Sequence, residues 1–249
     1  MPTCWAGSMG NCNGGISREH YISKSLFKSS AISVEGFPWC KGTARTVGIE
    51  SLTAKILCQT HNNGLSPLDK EASALFDAIR EWCRRENIRP NTSPLARIAR
   101  PPTVVNARLL ERWFLKTLLN LSLGRDYFIG VHGLEKGVVP LDLVQICFGE
   151  IPFDGASGMY GAAHAGMMIA SHDTVMFAPL LREDRVLGGL FEFRGFRFVL
   201  SLLPDGLQTM PQLEGVDAGW QQAKLLHPIE LIQMQISHLI TVPVIRFKW

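Results

Sequence analysis

The chain has 249 residues, a hydrophobic fraction of 46% and a formal net charge of +3, enough for one large domain or two small ones with a buried core. This composition excludes disordered and collagen-like chains. No apolar stretch reaches the roughly 18–20 residues of a membrane span. The N-terminus lacks the basic and apolar regions of a secretory signal, so we expect a reducing, cytoplasmic location without a membrane partner.

The charge of the chain is divided unevenly between its halves. Residues 1–125 hold 17 Lys and Arg against 9 Asp and Glu, whereas residues 126–249 hold 8 against 13. A basic first half favours a polyanionic partner such as nucleic acid, although a solvated basic helix face has the same composition.

Residues 1–65 are rich in Gly, Ser, Asn, Thr and Cys and contain only short apolar runs, which predicts a segment without a conventional core. Cys58 and His61 have the C-x2-H spacing with which a tight turn can hold one tetrahedral zinc ion. Cys4 and Cys12 are the natural second pair of ligands, with Cys40 in reserve. We therefore expect a structural zinc site here; the alternative is a set of free thiols in a loop-rich region.

Two helices are predicted in the middle of the chain. The first begins at Ser66 as N-cap, with Pro67 following and Asp69 closing a capping box, and runs to about Glu86. Its apolar face includes Cys83, which we expect in the core. A connector rich in Pro, Arg and Asn follows at 87–103. The second helix covers 106–123, and Arg108, Glu111, Arg112 and Lys116 are expected off its apolar face.

From residue 126 onward, short apolar runs between Gly, Pro and Asp residues predict strands. The predicted strands are Leu143–Phe148 (which contains Cys147), Thr174–Leu181, Phe196–Leu203 and Leu239–Phe247. The segment 228–240 fits a helix or a strand. We therefore expect an α+β fold with three parts: residues 1–86, a connector and helix at 87–125, and a β-rich C-terminal domain of unknown role at 126–249.

Acid–base chemistry has one obvious place in this sequence. Glu19 and His20 lie between the two presumed ligand pairs, and Asn62 and Asn63 follow the second pair directly. A zinc ion that joins both pairs would bring these residues to the start of the first helix. Phosphodiester hydrolysis needs such a set: a base that activates water and oxygen ligands for a divalent ion.

These residues resemble the HNH endonucleases, whose core is the zinc-stapled ββα-metal finger. The match consists of a cysteine pair, the Glu19-His20 step and the segment Leu57-Cys58-Gln-Thr-His61-Asn62-Asn63, and it covers about residues 1–80. The family pattern has a closer cysteine pair, a second knuckle cysteine where this chain has His61, and a residue that orients the base, for which Ser51 or Thr53 lies nearest.

The resemblance implies a role for each matching residue. His20 would be the general base. Glu19 and Asn62, with Asn63 beside them, would hold a catalytic Mg²⁺ or another divalent cation. The structural zinc would be held by Cys4, Cys12, Cys58 and His61.

Each role has a simpler alternative. Glu19 can be a solvated strand residue that pairs with Arg18 or Lys24, and His20 can be a turn histidine. Asn62 and Asn63 can cap the turn before the helix. Asp69 is explained by the helix cap and is left out of the predicted site.

Three functions are compatible with these features. The first is a metal-dependent HNH endonuclease acting on nucleic acid, most readily DNA, with Arg80, Arg84 and Arg85 contacting phosphates; a homodimer would let single-site chains cut both strands. The second is a catalytically inactive zinc-finger module that binds nucleic acid. The third is a protein-interaction finger with the activity in residues 126–249, but those residues contain no G-x-S-x-G, Walker A or dinucleotide motif.

Overall fold

The computed structural model describes residues 4–37, 39–40, 42–86, 101–123, 125–163, 173–206, 224–226, 231–233 and 244–249. Up to the connector, its elements are β1 (Ile16–His20), β2 (Ala31–Glu35), β3 (Arg45–Gly48), β4 (Thr53–Cys58), α1 (Gln59–Gly64) and α2 (Ser66–Glu86). After it come β5 (Thr103–Asn106), α3 (Ala107–Ser122), β6 (Phe128–Ile129), α4 (Leu141–Phe148), β7 (Gly158–Ala163), β8 (Thr174–Arg182), β9 (Arg185–Phe193), β10 (Phe196–Ser201), β11 (Lys224–Leu226), β12 (Leu231–Gln233) and β13 (Val244–Lys248).

These elements confirm the α+β fold class. β1 and β4 form an antiparallel pair, and α1 and α2 follow it directly. The largest sheet has the order β11-β7-β10-β9-β8-β2-β3, with β6 beside β9, and a third sheet has the order β12-β13-β5. Because β2 pairs in parallel with β8, the predicted boundary at residue 86 separates two strands of one sheet.

Both long helices lie where the sequence predicts them. α3 begins after Asn106, whose side-chain oxygen accepts a hydrogen bond from the Leu109 backbone N–H at 3.0 Å. α2 begins at Ser66, but the predicted capping box is wrong: the Ser66 hydroxyl donates to the Asn63 carbonyl, and the Asp69 carboxylate receives hydrogen bonds from Ser23 and Lys116.

The segment 143–148 is wrong as a strand, because it belongs to helix α4. Its buried residues Leu143, Val144, Ile146 and Cys147 lie on one helical face, and Gly149 ends the helix in the left-handed conformation with φ 80°. A short apolar run fits a buried strand and a buried helix equally well, so the run alone could not distinguish them. Cys147 and Cys83 are both buried in the core, as expected.

The other strand predictions are confirmed where the structure describes the chain. β8 and β10 match the runs that begin at 174 and 196. β13 covers the end of the run 239–247, and residues 239–243 lie outside the described residues. Within 228–240 only the strand β12 is described, and most of the connector, 87–100, is not.

The N-terminal segment does have a core, contrary to its composition. Trp5, Leu26, Val34 and Leu57 are among its buried side chains, and they join the same apolar cluster as α2, α3 and the large sheet. Few apolar residues suffice because they bury themselves against the rest of the chain instead of against one another.

α3 crosses this common core and is buried around most of its circumference. Glu111 and Lys116, which the sequence places away from the apolar face, are 9% and 1% exposed, so that expectation is wrong for both residues. Among the described residues, no helix has the length and apolar character needed to cross a membrane.

Candidate metal centre and active-site cleft

Three cysteines and one histidine of the N-terminal segment come together around one point. Cys4 and Cys12 lie in the loop before β1, Cys58 ends β4, and His61 lies in α1. Their Sγ and ring-nitrogen atoms all lie within 4.8 Å of one another. This group could hold a metal ion such as zinc.

The spacing of the four ligand atoms fits a tetrahedral ion. The Nδ1 atom of His61 lies 3.2 Å from the Cys4 sulfur, 3.6 Å from the Cys12 sulfur and 3.3 Å from the Cys58 sulfur. Zinc bond lengths of about 2.3 Å to sulfur and about 2.0 Å to nitrogen require S–N edges of roughly 3.5 Å. The donor set and its dimensions therefore match a closed four-ligand site.

The remaining polar atoms around this group favour ion binding. The Nε2 atom of His61 lies 2.8 Å from the Asn11 Oδ1 atom, so Nε2–H donates to it and Nδ1 keeps its lone pair for an ion. Burial raises the pKa of Cys58. Hydrogen bonds from the His61 and Asn13 backbone act in the opposite direction, and the pKa of Cys58 lies below its ordinary value. Cys40 is fully buried, and its thiol donates to the Val34 carbonyl, so Cys40 is not part of the group.

The strand pair β1–β4 links this group to the predicted catalytic residues. Ile16 pairs with Cys58 at one end, and His20 pairs with Thr53 at the other. Four residue-to-residue steps separate the two ends, a distance of about 13 Å. The group that could hold a metal ion therefore lies at one end of the strand pair, and His20 lies at the other.

Glu19 is buried beside a lysine of α3. It is 5% exposed, and its Oε1 atom lies 2.6 Å from the Lys116 Nζ atom. The same ammonium lies 2.8 and 3.1 Å from the two carboxylate oxygens of Asp69. The Asn62 side-chain amide donates to the Ser17 hydroxyl at 3.1 Å, and it lies close enough to Glu19 to lower the pKa of that carboxyl slightly against the larger effect of burial.

His20 is half-buried, and its Nε2 atom is shielded from solvent and has no hydrogen-bond partner among the described residues. The Glu50 carboxylate lies 3.9 Å from this nitrogen. Burial lowers the pKa of His20, against the opposing effect of Glu50, so the neutral imidazole is favoured. A neutral imidazole with a free ring nitrogen can accept a proton.

Glu19 and His20 line a cleft of about 630 Å³ together with the beginning of α2. The other lining residues are Ser23, Lys24, Ser25, Ser66, Asp69, Lys70 and Ser73. Serine and lysine residues make up most of this wall, which also carries the two carboxylates, and the positive end of the α2 dipole lies in it. The lysines and the helix N-terminus favour an anionic ligand there.

Asn63 and Arg80 are placed differently from the prediction, and two further predicted residues have side chains that are not described. Asn63 is exposed and does not line the cleft. The Arg80 guanidinium binds Asp77 at 2.7 Å and Asp173 at 3.3 Å and has a side chain only 13% exposed, so its charge is already compensated. The side chains of Arg84 and Arg85 lie outside the described part of the structure.

The sequence reasoning missed Asp69, Ser23 and Lys116. A charged residue within the buried stretch of α3 was the available signal for Lys116, since such a residue needs a partner of opposite charge. Asp69 was assigned to the cap of the first helix because its position and its residue type are those of a capping residue. Comparison with protein-family models, with curated proteins and with solved structures finds no match for this chain, so the functional argument depends on the geometry above.

Proposed function

We propose that this protein is a metal-dependent endonuclease of the HNH type that hydrolyses phosphodiester bonds in nucleic acid, with DNA as the first substrate to test. One observation carries the proposal: His20, whose buried Nε2 atom has no hydrogen-bond partner among the described residues, lines a cleft together with serines, lysines and the carboxylates of Glu19 and Asp69. A base, carboxylate oxygens and an anion-binding wall are the parts that phosphodiester hydrolysis requires.

In this proposal the group of Cys4, Cys12, Cys58 and His61 holds a structural zinc ion. All four positions come from the protein, so the ion has no open site for substrate and performs no chemistry. Its role is to hold the loop before β1 against the start of α1.

The catalytic divalent ion, Mg²⁺ or a similar cation, is assigned to Glu19 and Asn62, with Asp69 as an additional ligand. These residues fit a cation because oxygens of both carboxylates already surround one positive charge, the Lys116 ammonium. When bound there, the ion would neutralise charge that develops on the phosphate and the leaving oxygen. We leave Asn63 out of this ligand set because it does not line the cleft.

His20 would take the proton from the attacking water at Nε2, which is shielded from solvent here and would have to open to the cleft first. Lys70, which lines the same cleft, would contact phosphate oxygens. Such a contact is made to the nucleic-acid backbone and to no base, so cleavage should show little sequence preference. We assign no phosphate contact to Arg80, whose charge is compensated by Asp77 and Asp173.

A plasmid-nicking assay tests the proposal. Zinc-loaded protein with Mg²⁺ or Mn²⁺ should nick supercoiled DNA, and H20A should lose about 10²–10⁴-fold in rate, the usual contribution of a general base. H132A is the matched control, because His132 is an exposed histidine that does not line the cleft. Equal rates for wild type and H20A would refute the assignment.

The second candidate function is a catalytically inactive module that binds nucleic acid. The Glu19–Lys116 ion pair favours it, because a carboxylate that is compensated by an ammonium needs no metal ion. DNA binding by both wild type and H20A without nicking by either protein would establish this alternative.

A further inference from the structure

Lys116 brings a positive charge from α3 into the proposed cation site. Its Nζ atom lies 2.6 Å from Glu19 Oε1 and 2.8 Å from Asp69 Oδ1, and its side chain is only 2% exposed. Three separate elements, β1, α2 and α3, therefore meet at one ammonium group. Asp69 is fixed further by the Ser23 hydroxyl, which in turn accepts a hydrogen bond from the Trp113 indole N–H at 2.9 Å.

A divalent ion and this ammonium need the same oxygen atoms. Mg²⁺ binds carboxylate oxygens at about 2.1 Å, closer than the ammonium lies to either oxygen. An ion shared by Glu19 and Asp69 would thus be in contact with the Lys116 nitrogen. Two positive charges at that separation, shielded from water, repel each other strongly.

We propose that the Lys116 ammonium and the divalent ion are alternative occupants of the Glu19–Asp69 carboxylate pair, so that Lys116 controls uptake of the catalytic metal. This inference rests on the proposed function, because the pair is the cation site of that proposal. Lysine suits the role, since its charge is carried on a flexible four-carbon chain that can withdraw.

The two lysines that line the cleft do not share the position of Lys116, which is not a lining residue. Lys24 is paired with Glu50, and Lys70 is an exposed residue of α2 one position after Asp69. Lys70 therefore offers a matched control: it is a lysine next in sequence to one of the two carboxylates, without the buried ion pairs of Lys116.

Mn²⁺ binding, followed by electron paramagnetic resonance on zinc-loaded protein, tests the inference without any measurement of activity. K116M should bind Mn²⁺ at least about tenfold more tightly than wild type, because a buried like charge is removed. K70M should stay within about twofold of wild type, since an exposed charge is screened. Equal Mn²⁺ affinity in wild type and K116M would overturn the inference.

Loss of Lys116 leaves the buried carboxylate of Glu19 and the partly exposed carboxylate of Asp69 without this counter-charge, which can prevent folding. K116Q keeps a hydrogen-bond donor and should show the same direction of change. In folded wild type, the ¹⁵Nζ resonance of Lys116, assigned with K116Q, should disappear when Mg²⁺ is added. A ¹⁵Nζ resonance that persists unchanged at saturating Mg²⁺ would overturn the inference.

The nicking assay separates the two proposals. Tighter Mn²⁺ binding by K116M in a protein that never nicks DNA supports the inference and refutes the nuclease. Nicking by wild type together with unchanged Mn²⁺ affinity in K116M overturns the inference and leaves the nuclease standing.

Discussion

The two ring nitrogens of His61 make different contacts, and this difference leaves one of them available to a metal ion. Nδ1 points at the three sulfur atoms, and Nε2 is 2.8 Å from the Asn11 side chain. Asn11 fixes the ring orientation and the tautomer. A partner of this kind contributes to metal affinity although it does not touch the ion.

We expect N11A to weaken zinc binding by about 10–100-fold, because the His61 ring loses the acceptor that orients it. Competition with a chromogenic chelator measures the change. N13A is the control, since the Asn13 side chain contacts its own loop at the Gly14 N–H and not the histidine. Equal zinc affinity in N11A and N13A would contradict the assigned role of Asn11.

Glu111 is another buried acidic residue, and it lies outside the cleft. Burial raises its pKa to about 7, against the opposing effects of the Met159 backbone and of Arg108 and Arg112. Between its ordinary pKa and pH 7, the folded chain therefore holds a proton that the unfolded chain has released. The free energy of unfolding must fall as pH rises through this window.

We expect E111Q to remove that pH dependence, because the amide does not titrate. Urea unfolding between pH 5 and pH 8 should show a loss of up to about 3 kcal/mol in wild type that is absent in E111Q. The exposed Glu150 offers the control E150Q, which should behave like wild type. A wild-type stability that rises between pH 5 and pH 7 would contradict this assignment.

At the scale of elements, the pair β1–β4 is the structural link between the metal centre and the cleft. The metal ligands lie at one end and His20 at the other. Backbone hydrogen bonds from Trp5 to Ile56 and from Gln59 to Gly15 tie the ligand loop to the same strands. Metal binding should therefore stabilise these elements more than the distant sheet.

Removal of the metal by a chelator should increase amide hydrogen exchange in β1, β4 and α1 and leave β9 and β10 almost unchanged, because β9 and β10 contribute no ligand. Hydrogen exchange with mass spectrometry measures the pattern. C58S should reproduce it, whereas C83S, a change at a buried cysteine outside the group, should not. Uniform exchange over all five elements would refute the local role of the metal.

At the scale of the whole molecule, the N-terminal segment is built into the rest of the chain. β2 pairs with β8, and the Glu19–Lys116 and Ser23–Trp113 contacts join the segment to α3. Gly36 follows β2 at this junction with φ 77°, and a Cβ atom there would lie 1.7 Å from the Phe177 carbonyl oxygen. Only a glycine fits such an approach.

G36A should therefore destabilise the protein more than G42A does. Gly42 has nearly the same backbone angle, φ 78°, but nothing lies within 4 Å of its added Cβ. We expect a loss of about 1–2 kcal/mol for G42A from backbone strain. G36A should lose about 1–3 kcal/mol more from the clash, as measured by urea unfolding. Similar losses for both variants would contradict the tight junction between β2 and β8.

Sequence patterns that depend on neighbouring residues predicted much of this structure. The helical period of α2 and α3, the alternation of β8 and β10 and the C-x2-H turn are local, so the sequence contains their full signal. The choice of Cys4 and Cys12 as partners of that turn agrees with the group that the structure assembles. The strand prediction for residues 143–148 was wrong because a short apolar segment has no period that distinguishes a strand from a helix.

The sequence by itself determined the α+β class, the two long helices and the Cys58–His61 turn, because each depends on residue type and short spacing; the tertiary structure decided for Cys4 and Cys12 over Cys40 as its partners. Only the tertiary structure decided which side chains surround Glu19. Asp69 and Lys116 lie 50 and 97 positions along the chain from it, and no spacing rule relates a strand to the buried face of a distant helix. The physical reason is the cost of burying a charge. Because α3 places the Lys116 ammonium in the core, the carboxylates of Glu19 and Asp69 must lie beside it to compensate its charge.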